Sequence, residues 1–119
     1  MSTQRSITVP ESSLADRVLL ALCDGSELAT WRVHIEVHAL KQPDETYLAA
    51  LIRVRPTERA RLAMTANTLR ALETQGLVQH SRATSAWSQA ISAWWQVAAC
   101  PVRVVLADGL VQWTAEVAS

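Results

Sequence analysis

His34 and His38 stand four residues apart, so a helix would carry both imidazoles on one face, as a zinc ligand pair with a cysteine as third donor. A strand would hold them about 13 Å apart, too far to share an ion. The competing reading is two solvated histidines, and no metal is expected. The two cysteines, Cys23 at a helix end and Cys100 before Pro101, have no activating base or helix N-terminus in their local sequence. They read as small buried side chains. Placed at 100° steps on a helix, Leu62, Ala66, Leu69 and Leu72 form a buried stripe, and Arg59, Ala63, Asn67, Arg70 and Thr74 fall on the stripe beside it. The second stripe offers guanidinium and carboxamide groups, and its bland reading is a solvated helix face. With three glycines in the chain there is little material for a phosphate loop or a nucleophile elbow, so neither an enzyme nor a cofactor is expected.

The elements that position these groups belong to a chain of 119 residues, the length of one ordinary domain. Half of the residues are hydrophobic and 18% are charged, unlike the composition of a disordered chain. Eleven basic residues balance eleven acidic ones, so no global charge advertises nucleic acid or an anionic membrane, and any such contact must come from local asymmetry. All the basic residues except Lys41 are arginine, which favours planar, multi-donor contacts or reflects compositional bias. No run approaches the roughly 18 apolar residues of a membrane helix, and residues 1–13 lack a signal-peptide core. The expectation is a cytoplasmic protein with no membrane partner.

Residues 1–11 read as a frayed arm or a short edge strand. Ser12 or Ser13 can cap a helix over 13–23 that Asp24-Gly25 stops. The segment after it is ambiguous. Trp31, Val33, Ile35, Val37 and Ala39 alternate with Arg32, His34, Glu36 and His38 as in a half-buried strand, while Leu28, Trp31, Ile35 and Ala39 also line a helix face. Lys41 to Asp44 form a turn, with Asp44 as a possible cap. Residues 46–55 fit a short helix or a strand pairing back on 31–39, so these two segments stand or fall together. Pro56 suits the first turn of a long helix, 57–75, ending at Gly76. A short strand follows over 77–82. Trp87, Ile91, Trp94 and Ala98 lean toward helix spacing, although Ile91, Ala93, Trp95 and Val97 alternate. Residues 101–117 form a hairpin around Asp108-Gly109. The expected class is α+β.

Residues 46–78, a short apolar helix, a turn with Pro56, a long helix and an exit through Leu72-Glu73 to Gly76-Leu77-Val78, resemble the helix-turn-helix core of winged-helix regulators of the MarR-like kind. Leu48, Ala49, Val54, Pro56, Leu72, Glu73, Gly76, Leu77 and Val78 carry the match, and Leu28-Ala29-x-Trp31-Arg32-Val33 resembles the start of the preceding helix. The resemblance spans residues 28–82. Its departures are Arg53 where the family turns on glycine, a long span from Pro56 to Gly76, and a terminal hairpin in place of a dimerising helix. It implies a winged-helix-like fold and double-stranded DNA as partner. Arg59, Asn67, Arg70 and Ala63 would then face the major groove, Arg55 and Thr57 at the helix start would bind phosphate, and His80 with Arg82 would form the wing's backbone contact. Glu58 and Glu73 oppose that role by repelling phosphate. A homodimer is implied, because one short recognition helix rarely supplies enough affinity.

The alternative is a non-enzymatic α+β interaction module, an adaptor, inhibitor or chaperone-like subunit with a 31–55 β-hairpin. Its partner surface would be made of Trp87, Trp94, Trp95 and Trp113, with core filling as the competing role for these indoles. Whether residues 31–55 are helical or extended separates the two functions.

Overall fold

A computed structural model describes residues 1–81 and 93–118. The fold is α+β, with three helices and two antiparallel three-stranded sheets among the described residues. Strand β1 (Ser2–Pro10) leads to helix α1 (Leu14–Leu22), strand β2 (Leu28–Ala29), helix α2 (Thr30–Val37) and helix α3 (Tyr47–Thr74). Strands β3 (Val78–His80), β4 (Trp94–Val97), β5 (Val102–Val105) and β6 (Leu110–Ala118) complete the order. One sheet runs β2-β4-β3, and the other runs β1-β6-β5 with β1 and β6 paired from Ser2↔Ala118 to Pro10↔Leu110. The amino-terminal segment is therefore a nine-residue edge strand.

Local chemistry explains the ends of the helices. Ser13, in an extended conformation, caps α1 by accepting from the Asp16 N–H at 3.4 Å. Thr46, not Asp44, caps α3 through the Ala49 N–H at 3.1 Å. Helix α3 closes with a Schellman motif: the Leu77 N–H reaches the Leu72 carbonyl at 3.0 Å and the Gly76 N–H the Glu73 carbonyl at 2.9 Å. Gly76 takes φ +82, which a side chain would resist, and a Cβ there would also lie 3.1 Å from Arg5. The terminal hairpin turns through Ala107–Gly109 with Asp108 and Gly109 both at positive φ.

Residues 30–37 are helical, against the strand that their alternation suggested, and the proposed 31–55 hairpin does not exist. The alternation misleads because α2 is covered on several sides. Val33, Ile35 and Val37 are all buried, and His34, expected on the wet face, is 0% exposed because α3 supplies it with polar partners. A second correction concerns Pro56, which does not begin a helix. Helix α3 runs unbroken through it from Tyr47, so the long helix is 47–74 rather than 57–75. Pro56 removes a bond to the Ile52 carbonyl, but both residues are exposed, where an unpaired carbonyl costs least. Third, residues 94–97 form a strand, so alternation prevails over helix spacing there; Arg82, Trp87 and Ile91 lie outside the described residues.

One apolar cluster joins the helices to both sheets: Val18, Leu19 and Leu22 of α1, Val33 of α2, Leu69 and Leu72 of α3, Trp95 of β4, and Val111 and Trp113 of β6. Trp95 and Trp113 are 2% and 1% exposed, so they fill the core and are not partner surface. The Trp95 indole N–H donates to Thr30 Oγ1 at 2.8 Å, and that hydroxyl donates to the Ala93 carbonyl at 3.1 Å. This relay gives both the buried indole N–H and the buried Thr30 hydroxyl a partner.

Candidate functional site

Helix α3 carries two faces with opposite chemistry, and α2 meets both. On the inner face His34 lies between two residues of α3, with Nδ1 2.8 Å from Thr65 Oγ1 and Nε2 3.0 Å from Glu58 Oε1. The consistent tautomer donates Nε2–H to the carboxylate and accepts the Thr65 hydroxyl at Nδ1. Arg61 pairs with Glu58 at 3.2 Å and donates to His38 Nδ1 at 2.9 Å. The His34 and His38 rings lie 4.6 Å apart. Burial is the main cause that lowers both imidazoles, and it brings His38 down to about 4.

The helical spacing of the two histidines is thus realised, but their nitrogens are engaged with Thr65, Glu58 and Arg61. Among the described residues no three His, Cys, Asp or Glu side chains converge as a metal site. Thr65, His34 and Glu58 follow the hydrogen-bonding order of a nucleophile, base and orienting acid. Thr65 and His34 are nevertheless 0% exposed, so no substrate atom can reach the hydroxyl. The cluster is a polar clamp between α2 and α3.

The outer face of α3 forms an open groove of about 390 Å³, lined by Arg55, Arg59, Leu62, Ala63, Ala66, Asn67 and Arg70, with Trp31 of α2 as the opposite wall. Leu62 and Ala66 are buried and make its floor, while the three arginines, Ala63 and Asn67 are exposed. Arg70 donates to Asn67 Oδ1 at 3.1 Å. Among the described residues Arg55 and Arg59 have neither a carboxylate nor a hydrogen-bond partner. Among the described residues no acidic side chain lines the groove.

The structure therefore brings together five of the residues singled out in the sequence: Arg55, Arg59, Ala63, Asn67 and Arg70. It separates the others. Thr57 is not at a helix start; it sits within α3, its hydroxyl donates to the Val54 carbonyl at 3.1 Å, and neither it nor Arg55 has free helix-terminal N–H groups beside it. His80 is turned to Glu73, which takes both its ring Nδ1 and its backbone N–H, and its ring lies 5.1 Å from that of Trp95. That pairing weakens the case for a wing contact through His80. Glu58 and Glu73, expected to repel phosphate, are held by His34 with Arg61 and by His80 respectively.

Three features escaped the sequence reading. Trp31, placed on an apolar face, is the far wall of the groove; only the helical option for 30–37 could have shown it. Cys23 and Cys100, far apart in sequence, line one shallow depression of about 210 Å³ as free thiols. Strand β5 is inverted: Arg103 turns inward to Asp16 at 2.9 Å, while Val102, Val104 and Val105 are 61%, 46% and 57% exposed on an edge strand. Trp94 is the one tryptophan of the expected partner surface that the described residues leave exposed, at 50%.

Comparison of the chain with protein-family models, with curated proteins and with solved structures finds no match.

Proposed function

We propose that the protein is a small DNA-binding regulator of winged-helix type that presents the arginine face of α3 to nucleic acid. The observation that carries this reading is that residues 30–37 and 47–74 are helices. The arginine stripe thus stands on a long helix braced by a second one, and its side chains are uncovered among the described residues. The element order supports it too: α1, β2, α2 and α3 are followed, through Gly76, by the antiparallel pair β3 and β4. That is the exit from recognition helix to wing that the resemblance implies. Because α3 continues through Pro56, the contact comes from the middle of the helix and not from its first turn. The adaptor reading, in the form that needed a 31–55 hairpin, loses its basis.

The test is a fluorescence-anisotropy titration of a labelled mixed-sequence duplex at two salt concentrations. Phosphate neutralisation gives a log–log salt slope of about −0.9 per contact, so Arg59→Ala/Arg70→Ala should weaken binding and flatten the slope by roughly one to two units. Absence of salt-dependent duplex binding by the unaltered protein sinks the reading.

A regulator of this size reaches two half-sites as a dimer. The exposed valines of the edge strand β5 are the surface we assign to the second copy, since an unpaired apolar edge pairs readily with its like. Val104→Lys should then give a monomer in sedimentation velocity, and an unchanged sedimentation coefficient would remove β5 from the interface.

A further inference from the structure

Beside the arginines that α3 presents lies a groove that Trp31 of α2 also lines. We infer that the groove between Trp31 and α3 holds a single nucleotide unit, its base against the indole and the floor of Leu62 and Ala66 and its phosphate between Arg55 and Arg59. The inference rests on the proposed role of this face in nucleic-acid binding and adds what the groove itself takes: one unpaired nucleotide, beside the helix's contacts to a duplex.

Size, charge and surface chemistry converge on that ligand. The groove's volume of about 390 Å³ falls within the range of small-molecule sites, roughly 300 to 1,000 Å³, and has room for a base, a sugar and a phosphate. Arg55 and Arg59 are one turn apart, about 6 Å along the helix, which lets both guanidinium forks address one phosphate. Neither is neutralised among the described residues, and no carboxylate lines the groove to repel an anion. The apolar floor and the indole suit the flat, weakly hydrated body of a base, and stacking on an aromatic ring tolerates any base. The Asn67 carbonyl already accepts from Arg70, which leaves its NH₂ group to donate to a ring nitrogen or carbonyl of that base.

A free mononucleotide and an unpaired base within a strand share this chemistry. The experiment separates them on the full chain with three probes: AMP by calorimetry, a fluorescein-labelled oligodeoxyadenylate by anisotropy, and a blunt mixed-sequence duplex. Trp31→Ala should weaken the single-strand or AMP complex by about tenfold or more, Trp31→Phe should restore most of it, and duplex binding should change much less. Arg59→Ala should weaken every probe. AMP that binds and displaces the oligonucleotide assigns the groove to a nucleotide from either source. AMP binding without oligonucleotide binding assigns it to the free ligand, and oligonucleotide binding without AMP assigns it to the strand. If the duplex binds while AMP and the single strand do not, the inference is overturned and the duplex reading stands; Trp31→Ala and Trp31→Phe binding them as the unaltered chain does overturns the inference likewise. If no probe binds, both fall.

Discussion

Replacing Asp16 by Asn should remove the contribution that this one carboxylate makes to the protein's acid sensitivity between pH 3.8 and about 2. Asp16 is 1% exposed and is the joint between α1 and the β1-β6-β5 sheet. Its carboxylate accepts from Arg103 Nε and Nη2, both at 2.9 Å, from the Trp113 indole N–H at 2.8 Å and from the Ser12 N–H at 3.0 Å. The Arg103 bonds, aided by those of Ser12 and Trp113 and opposed by burial, bring its pKa down from 3.8 to about 2. Because the folded value is depressed, the unfolded chain takes up the proton first. The stabilisation is therefore complete above pH 3.8 and is lost as pH falls through about 2. At about 1.4 kcal/mol per unit, that difference is worth about 2.5 kcal/mol. The Asn variant turns an NH₂ group toward donors, so it should lose about 3 kcal/mol or more at pH 7, the cost of breaking a buried pair. Urea unfolding followed by tryptophan fluorescence at pH 7, 4, 3 and 2 measures both effects, with Trp95 and Trp113 as buried reporters. The gap between the two proteins should narrow by about 2 kcal/mol from pH 4 to pH 2. Parallel stability curves across that interval would show that the carboxylate is not held as described.

Thr65→Val keeps the side chain's shape but leaves His34 Nδ1 unpartnered in a site with no exposure, so urea unfolding should show a loss of about 1 to 3 kcal/mol. Pro56→Ala restores an N–H for the Ile52 carbonyl within a continuous helix, and calorimetry should show a gain of about 1 to 3 kcal/mol; a lower Tm would mean the proline's geometry is required. His38, kept neutral by burial first and by the neighbouring His34 and Arg61, with a pKa of about 4 against 6.5, contributes stability that is fully present above pH 6.5 and is lost as pH falls to about 4. His38→Gln should make Tm less steep over that interval, the rest of the slope staying with His34, which burial also lowers, and an unchanged profile would refute the assignment.

The elements best written in the sequence are those fixed by local chemistry. Ser13 caps, Gly76 accepts a left-handed backbone, and Asp108-Gly109 turns the hairpin, each by a preference that needs no distant partner. Part of the family resemblance has the same origin. Leu72-Glu73-Thr74-Gln75-Gly76-Leu77 is a Schellman ending with Leu72 and Leu77 both buried, a solution open to any helix that stops this way. The failures occurred where tertiary partners decide. His34 counted as a wet-face residue until Glu58 and Thr65 gave it somewhere to be buried. Nothing in the run of β5 marks Arg103 as its inward side chain; Asp16 draws it inward, and the valines beside it are exposed. The groove was half legible: two adjacent helical stripes supplied its floor and most of its polar side, but its wall came from Trp31, in the segment whose periodicity fitted both helix and strand.

The charge distribution explains how a chain with no net charge acquires a basic face. Four carboxylates on or beside α3 are held by partners that do not line the groove. Glu36 is met by Arg32 and Tyr47, Glu45 by Arg53, Glu58 by His34 and Arg61, and Glu73 by His80. On the far side of the core, Asp16 engages Arg103. Most of these pairs are partly exposed and add little stability individually. Their larger effect is directional, because they neutralise the flanks and inner face of the helix while Arg55 and Arg59 keep their charge undiminished among the described residues. Potential at a surface follows from such local imbalance and falls off over about 8 Å at physiological ionic strength. For an anionic ligand seated in the groove, the relevant charge is therefore that of three arginines and no carboxylate, whatever the sum over the whole chain.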